Sequence, residues 1–423
     1  MNICFISHEY AHPSLPPSGG IGVFVRSLAT ELVTQGHNVY VLGYANNSFE
    51  GIDNGVQVTF IRSLQGGIKL LLKRDKAASG SNVVSGSNYR ITESNLKRLL
   101  VTTKAKVIDI TQRLFKDINS ARLNLKLAKT IKDHQIEIVE VNDYLGLAAK
   151  LSIEVPLVIR CHGSYTVLMR GLNSAKKGYI LEDERKQFLR TENIIATSKS
   201  CQRDVEAHFS KKKVTLIYNG LPPLQSSESI DIPSTPKGRY IFYYGAIAYS
   251  KGVDILIRVF NSIAKTDAAI RLVLSGKDYG SWSEIINNNR SGIDAIDSRV
   301  TYLGHVSKED LAVHLQNASL CVFPTLAETM PLSWLEAMRA GKAILVSKIP
   351  VSPEIIENGV NGYICVTEED YVRTGKLLLS DAQQRDTIGR TAAETVEEKF
   401  SMRQLVSATI NYYSKLINQN LGS

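Results

Sequence analysis

The chain has no run of 18 or more apolar residues, which leaves no good membrane-spanning candidate. Its start, Met1-Asn2-Ile3-Cys4-Phe5-Ile6-Ser7-His8-Glu9, lacks a basic stretch and meets charge almost at once. It reads as a first strand rather than a signal peptide. Cysteine is scarce: five residues, at 4, 161, 201, 321 and 365, with no C-x-x-C pair. That spacing excludes a disulfide framework and a zinc ribbon, and predicts buried free thiols in a reducing, cytoplasmic setting. No Asp-x-Asp motif follows an apolar strand, so no metal site is expected. A dinucleotide site is also unlike this sequence. The glycine-rich stretch Ser18-Gly19-Gly20-Ile21-Gly22 is not G-x-G-x-x-G, and no acidic residue ends the next apolar run, Val39–Tyr44.

What is present is ordinary for a globular protein: 43% hydrophobic and 22% charged residues over 423 positions, enough for two or three domains. Net charge is +9, but residues 69–132 alone carry fifteen Lys/Arg against four Asp/Glu. Apolar residues recur through that segment at helical intervals (Leu100, Val107, Ile110, Leu114, Ile118), with Lys97, Lys104, Arg113 and Lys116 among them. A basic amphipathic helix of this kind fits an anionic membrane surface, or else a solvated helix whose apolar side packs on the domain. Nucleic acid is not the expected partner, because no aromatic interleaving accompanies the charge.

Short apolar runs alternate with helical stretches. One series is Ile3–Ser7, Val39–Tyr44, Val56–Ile61, Ile136–Val141, Leu157–Cys161, Ile194–Thr197 and Val214–Tyr218. A second is Tyr240–Tyr244, Ile270–Leu274, Val300–Leu303, Leu320–Phe323 and Ala343–Val346. Runs apolar on both faces suit parallel strands covered by helices on both sides, hence two doubly wound α/β sheets. The Pro/Ser-rich stretch from Leu221 to Gly238 divides them, and residues 77–90 are rich in Ser, Gly and Asn. The expected organisation is a Rossmann-like domain over 1–222 with a basic insertion at about 65–132, and a second over 237–400. A final helix over 401–423 is expected to pack back on the first domain. Ligands of such sheets bind beyond the carboxyl ends of the strands, so the motifs belong in the cleft between the halves.

Each motif has a functional and a plain reading. Gly19 and Gly20 open a helix and let backbone N–H groups approach an anion, or merely make a tight turn. His162-Gly163 ends one strand, where the imidazole reaches the cleft or serves structure alone. Asp143 ends another, as an acceptor-side group or as a helix cap. Lys251 precedes a helical pattern, an unfavourable place for a cation unless an anion is bound. In Phe323-Pro324-Thr325-Leu326-Ala327-Glu328-Thr329-Met330-Pro331-Leu332-Ser333-Trp334-Leu335-Glu336, a strand ends at Thr325 and Pro331 fits the first turn of a helix stopped by Gly341. The free N–H groups near Thr329, Met330, Pro331 and Leu332 make a phosphate cradle. Glu336, in an apolar setting, wants hydroxyl donors such as a ribose, or a basic side chain.

At these residues the chain resembles glycosyltransferase family 4 of the GT-B fold. Glu328 and Glu336 match that family's E-x7-E motif. Gly19-Gly20, His162-Gly163, Asn219-Gly220, Gly245 with Lys251-Gly252, and Asn361-Gly362 occur in the family's order. The resemblance implies a retaining, metal-independent hexosyltransferase with a nucleotide-diphosphate sugar as co-substrate, no other cofactor, and a glycan or lipid-linked acceptor in polysaccharide biosynthesis at the inner membrane face. It implies that Glu336 holds the donor ribose and that Glu328 with the backbone after it meets the donor sugar and diphosphate. Lys251 would neutralise the leaving group, Gly20 would approach the phosphates and His162 would lie beside the sugar. One position departs: family members commonly carry Arg just after the glycine at 245, and here that residue is Ala246. A nucleotide-sugar epimerase and a catalytically silent binding scaffold are the competing functions.

Overall fold

The computed structural model describes residues 1–64, 93–167, 178–209, 212–223 and 238–421, with the backbone alone for 93–109 and 421. The Ser/Gly/Asn-rich stretch 77–90 and positions 224–237 of the Pro/Ser-rich divider lie outside the described residues.

The first apolar series forms one sheet. Its strands are β1 Asn2–Ile6, β2 Asn38–Ala45, β3 Phe49–Asp53, β4 Val56–Arg62, β5 Ile138–Asn142, β6 Leu157–Cys161, β7 Ile194–Ala196 and β8 Val214–Leu216. They run in the order β3-β4-β2-β1-β5-β6-β7-β8. The pairs are parallel except β3 with β4. Strand β3 was not expected. It is a hairpin arm with Ile52 74% exposed, closed by Asn54 and Gly55 at φ 49° and 81°, the left-handed pair that a two-residue hairpin turn requires. The second series forms a parallel sheet ordered β11-β10-β9-β12-β13-β14. Its strands are β9 Tyr240–Tyr244, β10 Arg271–Ser275, β11 Val300–Tyr302, β12 Leu320–Phe323, β13 Ile344–Ser347 and β14 Tyr363–Cys365, the last also beyond expectation.

Strand order reverses beside β1 in one sheet and beside β9 in the other. Crossovers leave those points in opposite directions, so a crevice opens at the carboxyl ends of β1/β5 and of β9/β12. The two crevices face each other.

The N-terminal sheet is covered on both faces. One face packs Phe24, Leu28 and Leu32 of helix Gly20–Thr34 together with Leu405, Tyr413 and Ile417 of the last helix, Met402–Leu421. The chain thus leaves the second domain and returns to the first. A buried network anchors it. Arg160 pairs with Glu140 at 2.8 and 3.0 Å and donates to Thr409 at 3.2 Å, while the Tyr413 hydroxyl donates to Glu140 at 2.5 Å. The opposite face packs Leu123 and Leu127 of the 42-residue helix Glu93–His134. This helix is therefore, in its second half, the crossover that carries the chain from β4 to β5. Several of its cations are spent on its own domain. Lys116, expected among the surface charges, is buried against Asp183 at 2.6 Å and the Leu145 carbonyl at 2.8 Å. Arg122 donates to the Arg62 carbonyl at 2.6 Å.

The two passages between the domains are stitched together. Leu221 N–H donates to the Phe400 carbonyl at 2.9 Å and Met402 N–H to the Leu221 carbonyl at 2.8 Å. A Cβ on Gly220 would stand 2.4 Å from the Ser401 carbonyl oxygen. All five cysteines are buried free thiols. No helix among the described residues is long and apolar enough to cross a membrane.

Candidate functional site

A cleft of about 400 Å³ lies between the facing strand ends. Gly19, Gly20, His162, Gly245, Lys251, Glu328, Thr329, Met330, Pro331, Leu332 and Glu336 all line it.

On the N-terminal side, β1 runs out through Ser7 to Glu9. The Glu9 carboxylate accepts the N–H groups of Gly19 at 2.8 Å and Gly22 at 3.1 Å, drawing the glycine-rich turn onto the strand end. The start of helix Gly20–Thr34 thus already holds an internal anion, a group the sequence motif did not single out. Gly20 itself faces open space, with nothing within 4 Å of where a Cβ would be.

His162 leaves β6 on a loop fixed by Asp143. That carboxylate accepts three N–H groups, from His162 at 2.7 Å, Gly163 at 3.2 Å and Ser164 at 2.8 Å. Asp143 is fully buried, makes no side-chain cap to the turn that follows it, and does not line the cleft. Its place is behind the His162 loop. Burial pushes its carboxyl up to about 6 despite the three donors, and Glu184 nearby adds to the shift. The His162 ring packs on Phe24 at 4.6 Å, and Phe24 in turn lies under the Arg160 guanidinium at 5.3 Å. Burial, with Arg160 and His8 nearby, depresses the imidazole to about 3, so His162 is neutral at working pH.

On the C-terminal side, Lys251 ends a short turn, Tyr249–Lys251, just before helix Val253–Ala264. Gly252 is obligatory behind it: its φ is +67°, and a Cβ would fall 1.9 Å from the Pro324 carbonyl oxygen. That approach, with Leu326 N–H to Ser250 O at 3.0 Å, locks the Lys251 turn to the loop after β12. Lys251 forms an ion pair with Glu328 across this junction. Helix Leu332–Arg339 then begins at Pro331, which sits at the N-cap rather than at the first helical position and offers no side-chain cap. Its leading N–H groups are therefore open to an anion. Gly341, at φ +69°, ends it with Gly341 N–H to Met338 O at 2.9 Å and Lys342 N–H to Ala337 O at 3.1 Å, the two bonds of a Schellman stop.

Glu336 enters the cleft from this helix. Burial raises its carboxyl above the usual range, opposed by Tyr244 and by Arg339. Tyr244 gives its proton to the Ser333 carbonyl at 2.6 Å, and Arg339 donates to the Pro222 carbonyl. Among the described residues no ion pair includes Glu336, so the alternative of a helix glutamate paired to a basic neighbour is not what the structure places there.

Hydrogen bonds at two places join the domains around the cleft. The Thr329 hydroxyl donates to the His162 carbonyl at 3.0 Å. Glu354, of the second domain, accepts the N–H groups of Lys199 at 2.6 Å and Ser200 at 2.7 Å at the start of helix Lys199–His208. Lys97 and Lys104 have side chains outside the described residues, and Arg113, on the long helix, stands 3.7 Å from Glu182 of helix Gly178–Leu189, away from the cleft lining.

The chain matches two family models that together cover more than half of it. They are Glycosyltransferase Family 4 over residues 99–223 and Glycosyl transferases group 1 over 226–395. The first model includes most of the basic helix. An uncharacterized glycosyltransferase of Methanocaldococcus jannaschii, MJ1607, is 27% identical over 98% of both chains. Two solved structures share the fold. Sucrose-phosphate synthase from Thermosynechococcus elongatus has a TM-score of 0.68 at 16% identity, over 99% of each chain. HepE of Anabaena, in complex with UDP and glucose, has 0.66 at 17%, over 98% of this chain and 100% of its own. With the paired sheets, the facing crevices and the E-x7-E carboxylates in one cleft, this chain belongs to the GT-B glycosyltransferases of the family-4 type.

Proposed function

We propose that the protein is a retaining glycosyltransferase that moves a sugar from a nucleotide-diphosphate sugar to a glycan or lipid-linked acceptor, without a metal ion. The observation that supports this best is convergence: Lys251, Glu328, the open start of helix Leu332–Arg339, Glu336 and Gly20 meet in one cleft. Glu336, held in no ion pair among the described residues, takes the ribose hydroxyls. The helix start and Lys251 receive the diphosphate, where N–H dipoles and an ammonium stabilise the charge that grows on the leaving group. Lys251 exchanges Glu328 for phosphate in that step, and Glu328 is released toward the sugar. Neutral His162 lines the sugar's side of the cleft as a hydrogen-bonding group, not as an acid. The acceptor hydroxyl then attacks from the face that the leaving group vacates and gives its proton to the departing phosphate oxygen, which retains configuration.

HepE binds UDP and glucose, so UDP-sugars head the panel of donors to be mixed with purified protein. Slow release of nucleoside diphosphate, insensitive to EDTA, is the expected result. Interconversion of the sugar would mean an epimerase, binding without turnover a scaffold, and magnesium-reversible loss in EDTA a metal-dependent reaction. Retention is read from the anomeric configuration of the transferred sugar.

The acceptor side of the reading includes an anionic membrane surface for the basic helix. Ile110 is 68% exposed and Leu114 55%, with Ile118 also exposed and Arg113 between them, so this apolar row is not consumed by packing. Binding to anionic but not neutral vesicles, weakened by salt, is expected. Unchanged vesicle binding after charge reversal at Lys97, Lys104 and Arg113 would reduce the helix to scaffold.

A further inference from the structure

Ala246 leaves the donor cleft one cation short of the family pattern, and the structure shows where another cation stands. The loops that leave β9 and β10 run side by side. Gly245 N–H donates to the Ser275 carbonyl at 3.0 Å and Ile247 N–H to the Lys277 carbonyl at 3.0 Å, and Ile247 pairs with Asp278 in a parallel bridge. The approach is as close as backbone permits. A Cβ on Gly276 would lie 1.7 Å from the Gly245 carbonyl oxygen, and Gly276 has φ +144°.

In a parallel ladder, residues at the same register point to the same side, and alternate residues to opposite sides. Ile247 is fully buried, and the Asp278 carboxylate turns back to cap the N–H groups of Gly280, Ser281 and Trp282 at 2.9, 2.8 and 3.1 Å. Neither lines the cleft, whereas their predecessors in the ladder, Ala246 and Lys277, both do. Lys277 therefore emerges beside position 246 and toward the same space. Lys251, which lines the same cleft, is already paired with Glu328. Among the described residues Lys277 has no ion pair. Its ammonium lies over the Tyr279 ring, 5.0 Å from the centroid, an exposed and weak cation–π contact that an anion readily displaces.

We propose that Lys277 supplies the second positive charge on the donor diphosphate, standing in across the β9–β10 loop pair for the arginine that Ala246 replaces. The proposal rests on the reading of this cleft as a nucleotide-diphosphate site. A lysine reaching from the neighbouring loop delivers a point charge rather than a fork of donors, so it neutralises the diphosphate without fixing its oxygens bidentately.

The experiment is calorimetric titration of the full chain with UDP, GDP and ADP and with the matching nucleosides, for native protein, Lys277→Met, Lys277→Gln and Lys277→Met with Ala246→Arg. For the diphosphate that native protein binds best, both single substitutions are expected to weaken affinity tenfold or more while leaving the nucleoside's affinity unchanged. Adding Ala246→Arg is expected to restore most of the loss. Native-like diphosphate affinity in both Lys277 variants, with Glu336→Ala still defective, would overturn the proposal and leave the donor site standing. Equal weakening of nucleoside and diphosphate would also overturn it, by showing a general disturbance of the loop. Native protein that binds none of the three diphosphates would overturn the site reading itself, and this proposal with it.

Discussion

Among single side chains, the two carboxylates that matter most owe their state to what surrounds them. Glu336 is raised by burial, which Tyr244 and Arg339 only oppose, and among the described residues it has no ion pair, so it has room for donors that a ligand brings. Glu336→Ala is expected to cost two charge-assisted hydrogen bonds of about 1.5–3 kcal/mol each, roughly a hundredfold to ten-thousandfold in donor affinity, with the fold intact by circular dichroism. Unchanged affinity would place the ribose elsewhere. Asp143 is raised to about 6, so the folded state binds its proton more tightly than the unfolded chain does. Between roughly pH 4 and 6 this group's contribution to stability falls as pH rises, and above that it is level. Activity runs the other way, because only the ionised form accepts all three loop N–H groups. An acid limb near pH 6 is expected in the rate profile, absent in Asp143→Asn and kept in His162→Asn, since His162 is neutral throughout that range. Glu328 and Glu336 were legible in the sequence because strand end, cradle and helix occupy one continuous stretch. Asp143, Glu9 and Lys277 were not read correctly or at all. Each acts on residues 10–31 positions away or more, and only the folded loops reveal which N–H groups or which neighbour each one serves.

At the level of elements, twelve strands announced themselves as apolar runs, and the two that did not are informative. β3 carries an Asn-Gly turn, a strong short-range hairpin signal, but its alternating arm is half solvated and not an apolar run. β14 has three residues, too few for periodicity. The basic segment misled in another way: composition counts charges without saying which are used. Lys116 and Arg122 are bonded within the domain. The last helix, by contrast, showed its apolar residues plainly, but nothing in its own sequence tells that Tyr413 meets Glu140. Tyr413→Phe leaves a buried carboxylate short of a donor and is expected to destabilise the N-terminal domain by about 1–3 kcal/mol, seen as a lower urea midpoint. An unchanged midpoint would mean that Arg160 alone satisfies Glu140.

For the whole molecule, the cleft is an opening between two bodies, and its geometry is set by what joins them. Thr329–His162 and Glu354 with helix Lys199–His208 are contacts that opening must break. The stitch at Leu221 and Ser401 is one that it need not. Gly220→Ala forces a Cβ into the Ser401 carbonyl and is expected to splay the domains, with a larger radius of gyration by X-ray scattering and a several-fold lower kcat/KM. A native radius with native activity would show that the backbone there yields without consequence. The chain passes between the domains twice, and among the described residues the two passages are hydrogen-bonded to each other at Leu221. Once the Thr329 and Glu354 contacts break, bodies held by two bonded strands are expected to swing about that stitch, like covers on one spine. Opening then has a single coordinate, an angle. Two fluorophore pairs placed at different depths of the cleft should rise and fall in strict proportion as donor is added, the outer pair always travelling farther.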